Sequence, residues 1–170
     1  MTEQSRVLEC HKTMLAESCE EAFRGPDAII LYGGYGRGEG GWVRERDTWR
    51  PYNDYDVLVV GGDKPARRDL GKLRAGLARD LKIHRVDITW TNRLRLALLR
   101  PSIFSYDLKH ASTLLRGDDT VLRWVRPGPV GTLPMREAFT LFRTRLWTFL
   151  GSTMREDFGK PLADEAARFF

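Results

Sequence analysis

The sequence predicts an α/β or α+β domain, and three observations carry that prediction. Short apolar runs at residues 28–32, 54–60 and 83–91 have the length and composition of buried strands. Amphipathic stretches with helical spacing lie between and around them. Glycine and proline mark most of the junctions. A chain of 170 residues, 42% hydrophobic and 30% charged, can bury one core and does not have the composition of a disordered segment.

The elements follow in order. Residues 2–24 read as a helix, because Leu8, Leu15, Cys19 and Ala22 recur on one side with Val7 and Met14 beside them. Gly25-Pro26 ends it. Residues 28–32 are a continuous apolar run, followed at once by Gly33, Gly34, Gly36, Gly38, Gly40 and Gly41. Residues 42–53 are polar, contain Pro51 and read as an extended loop. Residues 54–60 form the second strand, ended by Gly61-Gly62. Residues 66–81 are a helix with the stripe Leu70, Leu73, Leu77 and Leu81 and a basic opposite face. Residues 83–91 are the third strand. Residues 93–100 read as a helix stopped by Pro101, and residues 102–115 as a helix and then a short strand before Gly117. Residues 127–134 are a Pro/Gly linker. From there a helix runs to about Leu150 with Phe139, Phe142, Leu146 and Phe149 on one side, and a last helix starts near Pro161.

Composition excludes several classes. No apolar run approaches the roughly 18 residues of a membrane helix. The stretch after Met1 lacks the apolar segment of a secretory signal. Cys10 and Cys19 allow at most one disulfide and cannot alone build a four-ligand zinc site. With His11, His84 and His110 scattered, the expectation is a reduced, cytoplasmic protein. The net charge of +5 suits a solvated surface and is compatible with a polyanionic ligand such as a nucleotide.

Chemistry concentrates in three places. Glycines directly after a strand let backbone N–H groups close on an anion, and a helix start behind them adds its dipole. Asn53-Asp54-Tyr55-Asp56 opens the second strand. Alternation points Asp54 and Asp56 one way and Tyr55 and Val57 into the other layer. Adjacent carboxylates repel unless a cation neutralises them, and hard ions such as Mg²⁺ take such ligands. Asp87 lies within the apolar third strand, where an unpaired acid is costly. If that strand neighbours the second, Asp87 joins Asp54 and Asp56 to bracket two Mg²⁺ ions. Taken alone, Asp87 reads as a structural ion pair to one of the many arginines. Gly36-Arg37-Gly38-Glu39-Gly40-Gly41 also fits G-x-G-x-x-G with Asp56 at the distance of a ribose-binding acid. Against a dinucleotide fold, residues 42–53 contain no crossover helix, and Asp54 and Asp56 precede their strand's apolar residues instead of ending it.

Gly33-Gly34-Tyr35-Gly36-Arg37-Gly38-Glu39 followed by Asn53-Asp54-Tyr55-Asp56 resembles the DNA polymerase β-type nucleotidyltransferase superfamily. The wording is most similar to the nucleotidyltransferase domain of bacterial protein-PII uridylyltransferases. The resemblance covers about residues 28–90 and extends loosely to Leu115-Arg116-Gly117-Asp118. It departs in a longer stretch between Gly34 and Asp54, in Asn53 where the family usually has Ser, and in lacking the uridylyltransferases' regulatory and hydrolase domains.

The resemblance implies a minimal nucleotidyltransferase fold, a mixed β-sheet flanked by helices, over residues 1–126. Residues 127–170 would be a linker and the start of a C-terminal helical region. It implies that Asp54 and Asp56 bind both Mg²⁺ ions, that Asp87 holds the catalytic one and helps deprotonate the acceptor hydroxyl, and that Gly33, Gly34 and Gly36 lie at the nucleotide. Gly33 and Gly34 would let the backbone approach the β- and γ-phosphates. Arg37 would be a charged phosphate contact; it also reads as a surface partner of Glu39. The implied reaction moves a nucleoside monophosphate from an NTP to a hydroxyl of a protein or small-molecule acceptor, releasing pyrophosphate. A nucleic-acid end stays open as an acceptor, though no motif indicates it. The alternative is a non-catalytic nucleotide-binding module, regulatory or antitoxin-like, that binds a partner protein. The pattern ending in Phe169-Phe170 is expected to belong to a dimer interface or to a fragment of a longer chain.

Overall fold

Helix α1 (Glu3–Phe23) starts where the Thr2 hydroxyl accepts a hydrogen bond from the Ser5 backbone N–H at 3.2 Å, a cap worth about 1 kcal/mol. It stops at Arg24 and Gly25, which turn into the left-handed region with φ of 48° and 78°. Its buried side is Leu15, Ala16, Cys19 and Phe23. Leu8, Met14 and Ala22 pack partly against the same core.

The computed structural model describes residues 2–45, 48–52 and 54–158. The chain divides into two compact units, Met1–Val130 and Gly131–Phe170. In the first, β1 (Pro26–Tyr32) leads into α2 (Gly33–Gly36), a single turn. Then come β2 (Trp42–Glu45), β3 (Thr48–Pro51), β4 (Tyr55–Gly61), α3 (Arg67–Asp80), β5 (Val86–Thr91), α4 (Arg93–Ala97), α5 (Ile103–His110) and β6 (Thr113–Gly117). A 3-10 turn, Asp119–Trp124, follows.

The main sheet has the order β5-β4-β1-β6. β1 runs antiparallel to β4 and β6, while β4 and β5 are parallel, joined through α3. The sheet is therefore mixed and flanked by helices, as expected. One face carries Ile29, Leu31, Tyr55, Val57, Val59, Val86 and Ile88 against Leu15, Cys19 and Phe23 of α1 and Leu70 and Leu77 of α3. The other carries Ala28, Ile30, Leu58 and Val60 against Leu96, Leu108, Val121 and Val125. Each such buried side chain contributes about 1.5–3 kcal/mol of apolar burial. At the Pro26 end of β1, Arg93 pairs with Asp27 at 3.2 Å and Asp118 at 3.4 Å.

Residues 42–53 are not simply a loop. β2 and β3 pair antiparallel, with Trp42 opposite Pro51 and Val43 opposite Arg50. Trp42, Val43, Thr48 and Trp49 are strand formers, and Pro51 ends its strand, where its missing N–H costs least. α4 ends at Ala97, short of the expected 100. In the second unit α6 (Met135–Phe158) runs beyond the expected Leu150. Its Phe139, Phe142 and Leu146 are exposed; the Phe149 side chain is not among those described. Asn53, the helix near Pro161 and Phe169-Phe170 lie outside the described residues. Cys10 and Cys19 are free thiols, and burial pushes the Cys19 thiol up to about 12. No helix among the described residues is long and apolar enough to cross a membrane.

Candidate active site

Strand register builds the site. Tyr32, the last residue of β1, stands opposite Asp56 on β4, and Asp56 stands opposite Asp87 on β5. Residues in one row of a sheet share a face, so Asp56 and Asp87 lie side by side. Tyr55 and Val57 point into the α1/α3 core, as alternation requires. The carboxylates share their face with the second core cluster but lie at the end of the sheet, and the Asp54 and Asp87 side chains keep 31% and 33% of their surface exposed.

Their charges interact. Burial first, then the charges of Asp87 and Asp54, push the Asp56 carboxyl up to about 6; Arg85 and Arg37 pull it down. Arg85 lies just before β5. Its Nε is 3.2 Å from Asp54 Oδ2, and its Nη2 is 2.5 Å from Asp87 Oδ2. Beside the carboxylates, Tyr32 hydrogen-bonds Thr89; burial leads, with the charges of Asp56 and Asp87 adding, in holding its phenol above the usual range.

Gly33 faces this cluster. Its φ is +68°, and a Cβ there would strike the Asp56 carboxylate, so only glycine allows the turn and the close approach together. Gly34 has its nearest neighbour at Gly40, 3.8 Å from where a Cβ would stand. Gly36 is pressed on the Leu31 carbonyl and accepts a hydrogen bond from the Thr113 hydroxyl at 3.1 Å. α2 is one turn long, so the expected dipole of a following helix is at most that of a turn. The backbone N–H groups of Arg37 and Glu39 bond back to the Gly33 and Gly34 carbonyls at 3.0 and 2.8 Å. Arg37 itself pairs with Glu39 at 2.9 Å and with Asp107 of α5 at 2.7 Å.

Tyr35 fastens the loop above. Its hydroxyl donates to the Gly41 carbonyl and accepts from the Tyr52 N–H at 3.1 Å. Its ring meets Trp42 edge to face and Tyr55 at a tilt and fills the space a Cβ on Gly40 would need.

Among the described residues no three His, Cys, Asp or Glu side chains stand ready as a metal-ligand group. The donor chemistry nevertheless fits Mg²⁺: Asp54, Asp56 and Asp87 are all hard oxygen donors, and burial, with the charges of the other two added, raises Asp56. Sequence reasoning missed Arg85, Tyr32 and Asp107 as site neighbours. A signal existed for Arg85, which precedes Asp87 by two and so shares its side of the chain.

No family model matches the chain, and no curated protein matches it. Several solved structures are similar in part. A crystal structure of a toxin–antitoxin with AMP-PNP is 13% identical, with 88% of this chain and 98% of that one covered and a TM-score of 0.43. A tri-AMPylated Shewanella oneidensis HEPN toxin in complex with MNT antitoxin is 14% identical, covering 88% and 93%, with a TM-score of 0.44. A MntA–HepT toxin–antitoxin structure is 10% identical, covering 89% and 98%, at 0.41. The site is therefore read from this chain's own residues.

Proposed function

We propose that the protein is a Mg²⁺-dependent nucleotidyltransferase that moves a nucleoside monophosphate from an NTP to a hydroxyl of a protein or small-molecule acceptor. The observation that carries this is the register of Asp56 against Asp87 on parallel strands, with Asp54 beside them and Gly33 folded onto Asp56. Asp54, Asp56 and Asp87 would hold the ions. Bound Mg²⁺ supplies charge neutralisation on the triphosphate and the leaving pyrophosphate. Asp87 takes the acceptor's proton as the hydroxyl oxygen bonds to the α-phosphorus and the bond to pyrophosphate breaks. Gly33 and Gly34 admit the β- and γ-phosphates close to the backbone. Arg37 reaches a phosphate by exchanging a carboxylate partner. Most of the rate comes from positioning and preorganised charge. The protein works in the cytoplasm, where its thiols stay reduced.

A second reading has one observation in its favour. Arg85 occupies oxygens of both Asp54 and Asp87, as suits a nucleotide-binding regulatory or antitoxin-like module that acts on a partner protein without transferring anything. One experiment separates the two. The protein is incubated with each α-labelled NTP, Mg²⁺ and a cell lysate, beside the Asp56→Asn variant. Label moved to an acceptor by the native protein only supports the enzyme. Saturable nucleotide binding with no transfer from any NTP supports the module.

A further inference from the structure

The acidic cluster carries its own counter-cation. One guanidinium reaches Asp54 at 3.2 Å and Asp87 at 2.5 Å, so Arg85 ties the entry to β4 to the start of β5. The Arg85 carbonyl accepts the Tyr55 N–H at 3.3 Å, which fixes the backbone at the base of the side chain. The side chain is 59% exposed, and exposed ion pairs of this kind are held weakly. A divalent ion that takes the same carboxylate oxygens has to displace the guanidinium.

We propose that Arg85 is a positioning residue that makes divalent-ion binding depend on the nucleotide, and this rests on the nucleotidyltransferase reading. A free ion breaks both ion pairs and leaves the guanidinium with water alone. An ion arriving with a triphosphate brings anionic oxygens to which the displaced fork can pair bidentately. Metal and nucleotide then bind with positive coupling, and Arg85 is the group that couples them. The site in this way rejects the bare ion and admits the metal–nucleotide pair.

Calorimetric titration tests this without any turnover. Mn²⁺ is titrated into the native protein, Arg85→Ala and Arg85→Lys, alone and with each of the four α,β-methylene NTP analogues at saturation. Arg85→Ala is expected to bind Mn²⁺ alone roughly five- to tenfold tighter than the native protein, the loss of two exposed ion pairs. The analogue should then tighten Mn²⁺ binding less in the variant than in the native protein. Arg85→Lys, which keeps the charge without the fork, should lie between, and carries the comparison if the alanine variant does not fold. Equal Mn²⁺ affinity in native and variant proteins overturns the role of Arg85 and leaves the proposed function standing. No Mn²⁺ binding by any of them, with or without analogue, overturns both.

Discussion

Asp56→Asn changes the charge at the centre of the site and almost nothing of its shape. In the native protein burial, then the charges of Asp87 and Asp54, push the carboxyl from 3.8 up to about 6. Below pH 4 both folded and unfolded chains hold the proton, and the site contributes nothing. Between pH 4 and 6 the unfolded chain releases its proton while the folded one keeps it. Above pH 6 the folded protein carries a charge that burial and the neighbouring acids oppose, so stability falls through that window and then levels. A shift of about two units corresponds to at most about 3 kcal/mol. The carboxyl is partly solvated, and screening reduces this to about 1 kcal/mol. Asparagine does not titrate, so the variant escapes the cost. In EDTA at pH 8 it should melt about 2–4 °C above the native protein, and the gap should close by pH 4. Thermal denaturation from pH 4 to 8, followed by circular dichroism, reads this directly. A variant no more stable than native at pH 8, or a gap of the same size at both ends, refutes the electrostatic account of the cluster.

Three further outcomes are expected. Gly33→Ala places a Cβ at a φ of +68° and against Asp56, which should cost about 1–3 kcal/mol; an unchanged urea midpoint would contradict it. Tyr35→Phe removes the hydroxyl that donates to the Gly41 carbonyl and shares the Tyr52 N–H, which should cost about 1 kcal/mol; an unchanged melting temperature would contradict it. Replacing EDTA by Mg²⁺ at pH 8 should raise the melting temperature of the native protein but not of Asp56→Asn, and an equal rise in both would place the ion elsewhere.

The strands and the large helices were legible because their periodicities are long and simple. The alternation of Asp54, Tyr55, Asp56 and Val57 gave the right faces, since β4 has one face under α1 and α3 and an open end where the acids stand. The β2–β3 hairpin was not legible. Its strands have four residues each, too few for a period to show, and Pro51 argued against a strand without saying that it closes one. Arg85 was legible as a residue but not as a partner. Its bond to Asp87 follows from spacing along β5, whereas its bond to Asp54 needs β4 and β5 to be neighbours, which spacing alone does not tell.

The direction of the strands decides whether these motifs can form one site at all. β1 runs antiparallel to β4, so the glycines that leave the end of β1 meet Asp54 and Asp56 at the start of β4. β5 runs parallel to β4, so Arg85 and Asp87 begin their strand at that same end. Had residues 42–53 held a crossover helix, as the G-x-G-x-x-G spacing invites, β4 would lie parallel to β1. Gly33 would then sit a full strand length, roughly 20 Å, from Asp56. The hairpin returns the chain without reversing that logic: it leaves and re-enters at one end of the sheet, with the Tyr52 N–H bonded to the Gly41 carbonyl at 2.9 Å at its base. The residues between Gly34 and Asp54 thus keep the glycine turn and the carboxylates together, and Gly33 can press on Asp56 because the intervening chain comes back to where it left.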